Sequence, residues 1–235
     1  MTANRTALVV RGGWEGHRPV EATDRFLPFL RENGFQVRVA ETTEVYADAD
    51  ALATTDLIVQ CVSMGEIVPE ELEGLRAAVE AGTGLAGWHG GIVDSFRASS
   101  DYLQLVGGVF AAHPAVPADE APAPGEEYFR EHVIEITEAG RRHPITADLD
   151  DFTLRTEQYW VLTDLLNDVL ATTTHPAEPG RPWRRPHESP AVWTREWGAG
   201  RVFVATPGHD PDVLDHPSVR TIIERGMLWA ARGSG

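Results

Sequence analysis

The chain has 235 residues, 42% of them hydrophobic, and a formal net charge of −16 at pH 7. That length and apolar content suit a single α/β domain over residues 1–235 with a continuous core. The acidic balance disfavours nucleic acid and anionic membranes as partners, no apolar run approaches the roughly 20 residues of a spanning helix, and the lone Cys61 excludes a disulfide framework or a CxxC zinc site. In chain order, Ala7-Leu8-Val9-Val10 reads as a buried first strand ending at Gly12-Gly13. A helix is predicted from Glu21, with Ala22, Phe26, Phe29 and Leu30 on one face and a stop at Asn33-Gly34. Residues 35–39 alternate and predict a second strand, and residues 57–61 a third, buried one. Pro69 opens a helix carrying Leu72, Leu75 and Val79, closed at Gly82, and residues 84–88 form a fourth strand.

The second half is less regular. Residues 115–125 are Pro/Ala-rich and acidic and read as an exposed loop. Strands are expected at 132–137, 153–160 and 168–173, then a long proline- and arginine-rich loop over 176–190. Residues 200–206 read as a buried strand, and a final helix over 217–232 buries Val219, Ile222, Ile223, Gly226 and Ala230. Strand–helix alternation predicts a doubly wound, mostly parallel sheet with helices on both faces. Ligands bind beyond the carboxyl ends of such strands, so Gly12-Gly13, the segment 61–65 and His89-Gly90-Gly91 are expected to converge there. Every basic residue is Arg, which removes lysine Schiff-base chemistry. The start MTANRTALVVRGGW lacks the apolar core and cleavage site of a signal peptide, so a cytoplasmic protein is expected.

The stretch GLAGWHGGIVDSF (84–96) has the spacing of a nucleophile elbow, with His89 where Ser or Cys would stand. Together with YLQLVGGVFAAHP (102–114), HPITADLDDF (143–152), EQY (157–159), PAVWTREWGAGRVFVATPGHD (190–210) and the closing GMLWA, it resembles the trehalose-utilisation (ThuA-like) family. The resemblance runs in order over nearly the whole chain. It implies a flavodoxin-like fold of the class I glutamine amidotransferase type, and a place in sugar catabolism by way of disaccharides oxidised to 3-keto forms. In the amidotransferases the elbow carries Cys and a late strand ends in the triad His. Here His89 replaces the Cys while His209 keeps the second position. Thiolate attack on glutamine is therefore not available, and glutaminase activity is not expected.

Several side chains follow as candidates. His89 can serve as base, acid or metal ligand, or only hydrogen-bond the turn. His209 is its expected partner, oriented by Asp210. His17 follows the first strand, and three imidazoles (His17, His89, His209) would suit a divalent metal such as Zn with an open position for water, although no HxxxH spacing supports one. Glu157 is the candidate carboxylate, as general base or sugar ligand, against a solvated strand Glu. Asp94 is read as a sugar ligand or the cap of the next helix, and His113 as part of a lid. Tyr159 and Trp160 offer aromatic faces for a sugar ring or for the core. Trp193, Trp197 and Trp229 read as packing, and Cys61 as an inert buried thiol, with a thiol hydrolase as the reading it would otherwise support. The leading expectation is an enzyme acting on a neutral keto-sugar glycoside, with a non-enzymatic sugar-binding or regulatory module as the rival. The sequence leaves homo-oligomerisation open.

Overall fold

The computed structural model of the chain describes residues 5–116 and 122–233, so the loop expected over 115–125 lies partly outside the described residues. Its strands are β1 (Arg5–Gly13), β2 (Phe35–Ala40), β3 (Leu57–Ser63), β4 (Gly84–Trp88), β5 (Gly108–Ala112), β6 (Phe129–Ile136), β7 (Phe152–Glu157), β8 (Trp160–Thr163), β9 (Asp168–His175), β10 (His187–Trp197) and β11 (Gly200–Ala205). The helices are α1 (Pro19–Asp24), α2 (Leu27–Glu32), α3 (Ala49–Ala53), α4 (Pro69–Glu80), α5 (Gly90–Val93), α6 (Ser100–Val106), α7 (Pro211–Leu214) and α8 (Pro217–Ala230). Nine strands form one sheet in the order β2-β1-β3-β4-β11-β10-β9-β6-β7. The first five run parallel, in the strand order of flavodoxin-like folds. The expected α/β class is therefore present, extended by four antiparallel strands.

Side-chain alternation explains the two helical layers. Ala7 and Val9 of β1 share a buried cluster with Ala22, Phe26 and Leu30 and with Val219, Ile222 and Ile223 of α8. Leu8 and Val10 point the other way, onto Tyr46, Leu52, Leu75 and Val79. Every residue of β3 is buried, as expected of a parallel strand covered on both faces. One contact is tight enough to test. A Cβ on Gly226 of α8 would lie 2.4 Å from the buried Phe203 ring of β11. Gly226→Ala regains about 1 kcal/mol of helix propensity but overpacks a filled site at about 1–3 kcal/mol. A net loss of up to about 2 kcal/mol is expected in urea unfolding, and a raised midpoint would show that α8 can lift off the sheet without cost.

Four expectations are corrected. The helix expected from Glu21 is two helices, α1 and α2. Pro28 sits in the first turn of α2, where its missing N–H is harmless, but it cannot continue a preceding helix. The strand expected over 153–160 is split into β7 and β8, which join different sheets. The loop expected to reach Pro190 ends earlier, because β10 begins at His187 and carries Pro190 at an irregularity in its pairing with β9. The last helix stops at Ala230 rather than Arg232. Among the described residues, no helix is long and apolar enough to cross a membrane.

Candidate active site

The segments that follow β1, β4 and β11, together with the last residue of β7, supply one cluster. After β1, the 3-10 turn Glu15–His17 carries His17 inward, where its Nδ1 lies 2.6 Å from the Ser63 Oγ at the end of β3. After β4, the chain turns sharply at His89, which takes φ 49° and ψ −144°. A non-glycine residue in that region stores strain and marks a functional turn more often than an ordinary loop. The turn is held from both sides. The His89 backbone N–H donates to the Ala205 carbonyl at 2.7 Å, and its ring Nδ1 lies 2.8 Å from the Thr206 carbonyl. A carbonyl only accepts, so His89 Nδ1 carries the proton and Nε2 presents a lone pair to the cluster. Gly90 is required beside it, since a Cβ there would stand 2.3 Å from the His17 ring.

Glu157, the last residue of β7, and His209, beyond β11, complete the group. Glu157 Oε2 lies 3.2 Å from His89 Nε2 and 3.2 Å from His209 Nδ1, and those two nitrogens are 3.3 Å apart. His17 packs edge-on against both rings, with centroid distances of 4.8 Å to His89 and 5.3 Å to His209. One ligating atom from each of the four residues lies within 4.8 Å of the others. His113 approaches the opposite carboxylate oxygen, with Nε2 3.8 Å from Oε1. The Glu157 contacts are close but misaimed for hydrogen bonding, and Oε2 is buried without a hydrogen-bond partner.

The electrostatics sort these groups. Burial pushes His17 down to about 3, and the neighbouring His89 and His209 push the same way. Burial likewise lowers His89. Burial alone would raise Glu157, but its contacts with His209 and His89 outweigh it and hold the carboxyl below the usual range. The cluster at neutral pH is thus an ionised carboxylate among imidazoles, with His17 and His89 neutral.

Above the cluster lies a cavity of about 240 Å³ walled by Trp14, Phe110, Tyr128 and Tyr159 and edged by Asp94 and Arg97. A larger groove of about 430 Å³ runs along α4 past Glu73, Arg76 and Asp101, but no imidazole lines it, so the histidine cluster adjoins the smaller cavity.

The expected residues divide clearly. His17, His89, His113, Glu157, Tyr159 and His209 are brought together, and Tyr159 stacks on His89 at 4.1 Å. Asp94 is buried in the cavity wall and pairs with Arg97, while the cap of the next helix, α6, is Ser99. Asp210 does not orient His209, because its carboxylate accepts the N–H groups of Asp212 and Val213 and caps α7. Trp160 leaves the cavity to stack on His187 at 3.9 Å. Cys61 is buried, and burial pushes its thiol up to about 12, so it supplies no thiolate nucleophile. Sequence reasoning missed Ser63, which fixes His17, and the cavity residues Trp14, Arg97, Phe110 and Tyr128. Ser63 lies in the segment 61–65 expected at the site and Trp14 directly follows β1, whereas Phe110 sits inside β5 and Tyr128 just before β6, where no such positional signal exists.

Comparison with known proteins agrees with this fold. A family model described as trehalose utilisation (ThuA) matches residues 6–230. Among solved structures, a ThuA-like protein of Parabacteroides merdae ATCC 43184 is 16% identical with a TM-score of 0.72, over 98% of this chain and 91% of that one. A ThuA-like protein of Bacteroides uniformis ATCC 8492 gives 16% identity and a TM-score of 0.70, over 96% and 90%. A cytoplasmic protein of Salmonella typhimurium LT2 gives 16% identity and a TM-score of 0.64, over 96% and 99%. At those identities the likeness is one of fold. No curated protein matches the chain. With the model matching nearly end to end, the chain belongs to the ThuA family of trehalose utilisation.

Proposed function

We propose that this chain is a cytoplasmic enzyme of sugar catabolism that acts on a keto-sugar glycoside by moving a proton beside the ketone. The carrying observation is the meeting of His89, Glu157 and His209 within 3.3 Å of one another beneath a cavity that Glu157 and His209 line. Proton transfer beside a carbonyl needs a base near the carbon and an electrophile at the oxygen. An ionised Glu157 supplies the basic side, and His209 and His113, which line the cavity and are not committed to a backbone carbonyl, supply the proton at the oxygen. Trp14, Phe110 and Tyr128 offer aromatic walls to the apolar faces of a sugar ring. The cavity's size suits one ring, with the remainder of a glycoside at the mouth. The charge of −16 favours a neutral substrate over an anionic one. The cytoplasmic setting is that of the Salmonella relative.

The test is to incubate the chain with trehalose and with its 3-keto form and follow both by NMR. Conversion of the keto form alone is expected. Tight binding of the keto form without product, even with divalent metals supplied, would instead make the chain a sugar-binding module.

A further inference from the structure

We infer that His89, Glu157 and His209 are the ligand triangle of a divalent transition-metal site, with His17 as a fourth donor. This rests on reading the cluster as the active site, and adds an ion that the proposed reaction does not by itself require. The three donor atoms form a nearly equilateral triangle with sides of 3.2, 3.2 and 3.3 Å. Ligands about 2.0–2.1 Å from a tetrahedral zinc stand about 3.3–3.4 Å from each other. The side chains are therefore already at coordination spacing. His17 lies farther out, within 4.8 Å of the other donors.

Protons alone account for the cluster poorly. His89 spends its one ring proton on the Thr206 carbonyl, so its Nε2 has none to give Glu157. His209 Nδ1 lies equally near His89 Nε2 and Glu157 Oε2, and has at most one proton for the two acceptors. Oε2 is left buried and without a hydrogen bond, a cost of about 1–3 kcal/mol that a cation capping the triangle would remove. The far nitrogens of the rings are fixed as metal-bound histidines require: His89 Nδ1 by Thr206 and His17 Nδ1 by Ser63. Imidazoles with one carboxylate suit zinc and its first-row neighbours, and with His17 as the more distant fourth donor the ion would meet water or substrate by expanding to five-coordinate. Among the described residues this is the one such grouping. An ion there supplies the electrophile at the carbonyl oxygen, and His113, outside the triangle, is the imidazole left free to move a proton.

The test uses the chain stripped with a chelator and titrated calorimetrically with ZnCl₂ and, separately, CoCl₂. One equivalent is expected, with a visible cobalt spectrum of low symmetry and a raised thermal midpoint. Glu157→Gln and His209→Ala should each lose the stoichiometric site, His187→Ala should keep it, and Ser63→Ala should weaken it about 10-fold by freeing His17. If either ligand variant fails to fold, the cobalt spectrum of the unaltered chain decides: absorption of imidazole-bound cobalt supports the site, and the spectrum of the hydrated ion overturns it. Folded wild-type chain that takes up no zinc, cobalt, manganese or nickel overturns the inference. So does binding that survives both ligand variants. Turnover of a keto-sugar by a chain that takes up none of these metals would overturn the ion and leave the proposed function standing. A stoichiometric ion with no turnover would do the reverse.

Discussion

His89→Ala lowers kcat/KM on a 3-keto-disaccharide by about 10³-fold, near the middle of the range for removing a positioned acid–base group. The expected loss is large because this one ring makes three separate contacts. Its Nε2 meets Glu157 Oε2 at 3.2 Å and His209 Nδ1 at 3.3 Å, and its face stacks on Tyr159 at 4.1 Å. A second substitution separates this role from the backbone. Alanine keeps the cost of φ 49°, whereas glycine adopts that angle freely. His89→Gly is therefore expected to be as inactive as His89→Ala yet more stable by about 1–2 kcal/mol in denaturant unfolding. Equal stabilities would remove the strain from the account of the elbow. Retained activity in both would remove His89 from the chemistry.

The elbow was legible because its local rules are strict. Glycines on both sides of His89, after an apolar strand, leave few backbone solutions, and the parallel order then puts that turn beside the ends of β1 and β11. The apolar runs of β1, β3, β4 and β11 were equally plain, since strands buried on both faces need no alternation to declare themselves. The antiparallel half was not. In β10 a proline sits at an irregularity in the strand, and β6 meets β9 through only two paired residues, Glu135 and Ile136. Contacts that join distant parts of the chain left no local trace either. Ser63 orients a histidine 46 residues away. Asp210, adjacent to His209 in sequence, spends its carboxylate on a helix cap, because two N–H groups at the start of α7 outbid an imidazole pointing elsewhere. Glu157 was readable as a carboxylate of interest, but its partners are set by where β7 ends against the parallel half.

The other large expected effect lies away from catalysis, in the chain's response to acid. His175 at the end of β9 is 1% exposed, and burial pushes its pKa down to about 4 from an ordinary 6.5. Its Nε2 lies 3.2 Å from the Tyr159 carbonyl, which calls for a proton there, and its Nδ1 is buried without a partner, so a second proton would be stranded. The sign follows from which state takes up the proton first. Below pH 6.5 the unfolded chain protonates His175 while the folded chain does not. The stability this residue confers is complete above pH 6.5 and is lost as pH falls through the folded value near 4. Each such histidine sets a slope of about 1.4 kcal/mol per pH unit, so His175 alone removes about 3 kcal/mol across the window. Urea unfolding at stepped pH should show stability falling throughout that interval. His175→Gln, which can still donate to Tyr159 through its amide, should flatten the slope by about 1.4 kcal/mol per pH unit. A variant that keeps the wild-type slope would place the acid sensitivity elsewhere, with His17 as the next residue to replace, since burial holds it down to about 3. A weak fold in mild acid, if it tracks His175, follows from burying an imidazole against the link between β7 and β8 that carries Tyr159, and so from how the antiparallel half is packed against the site.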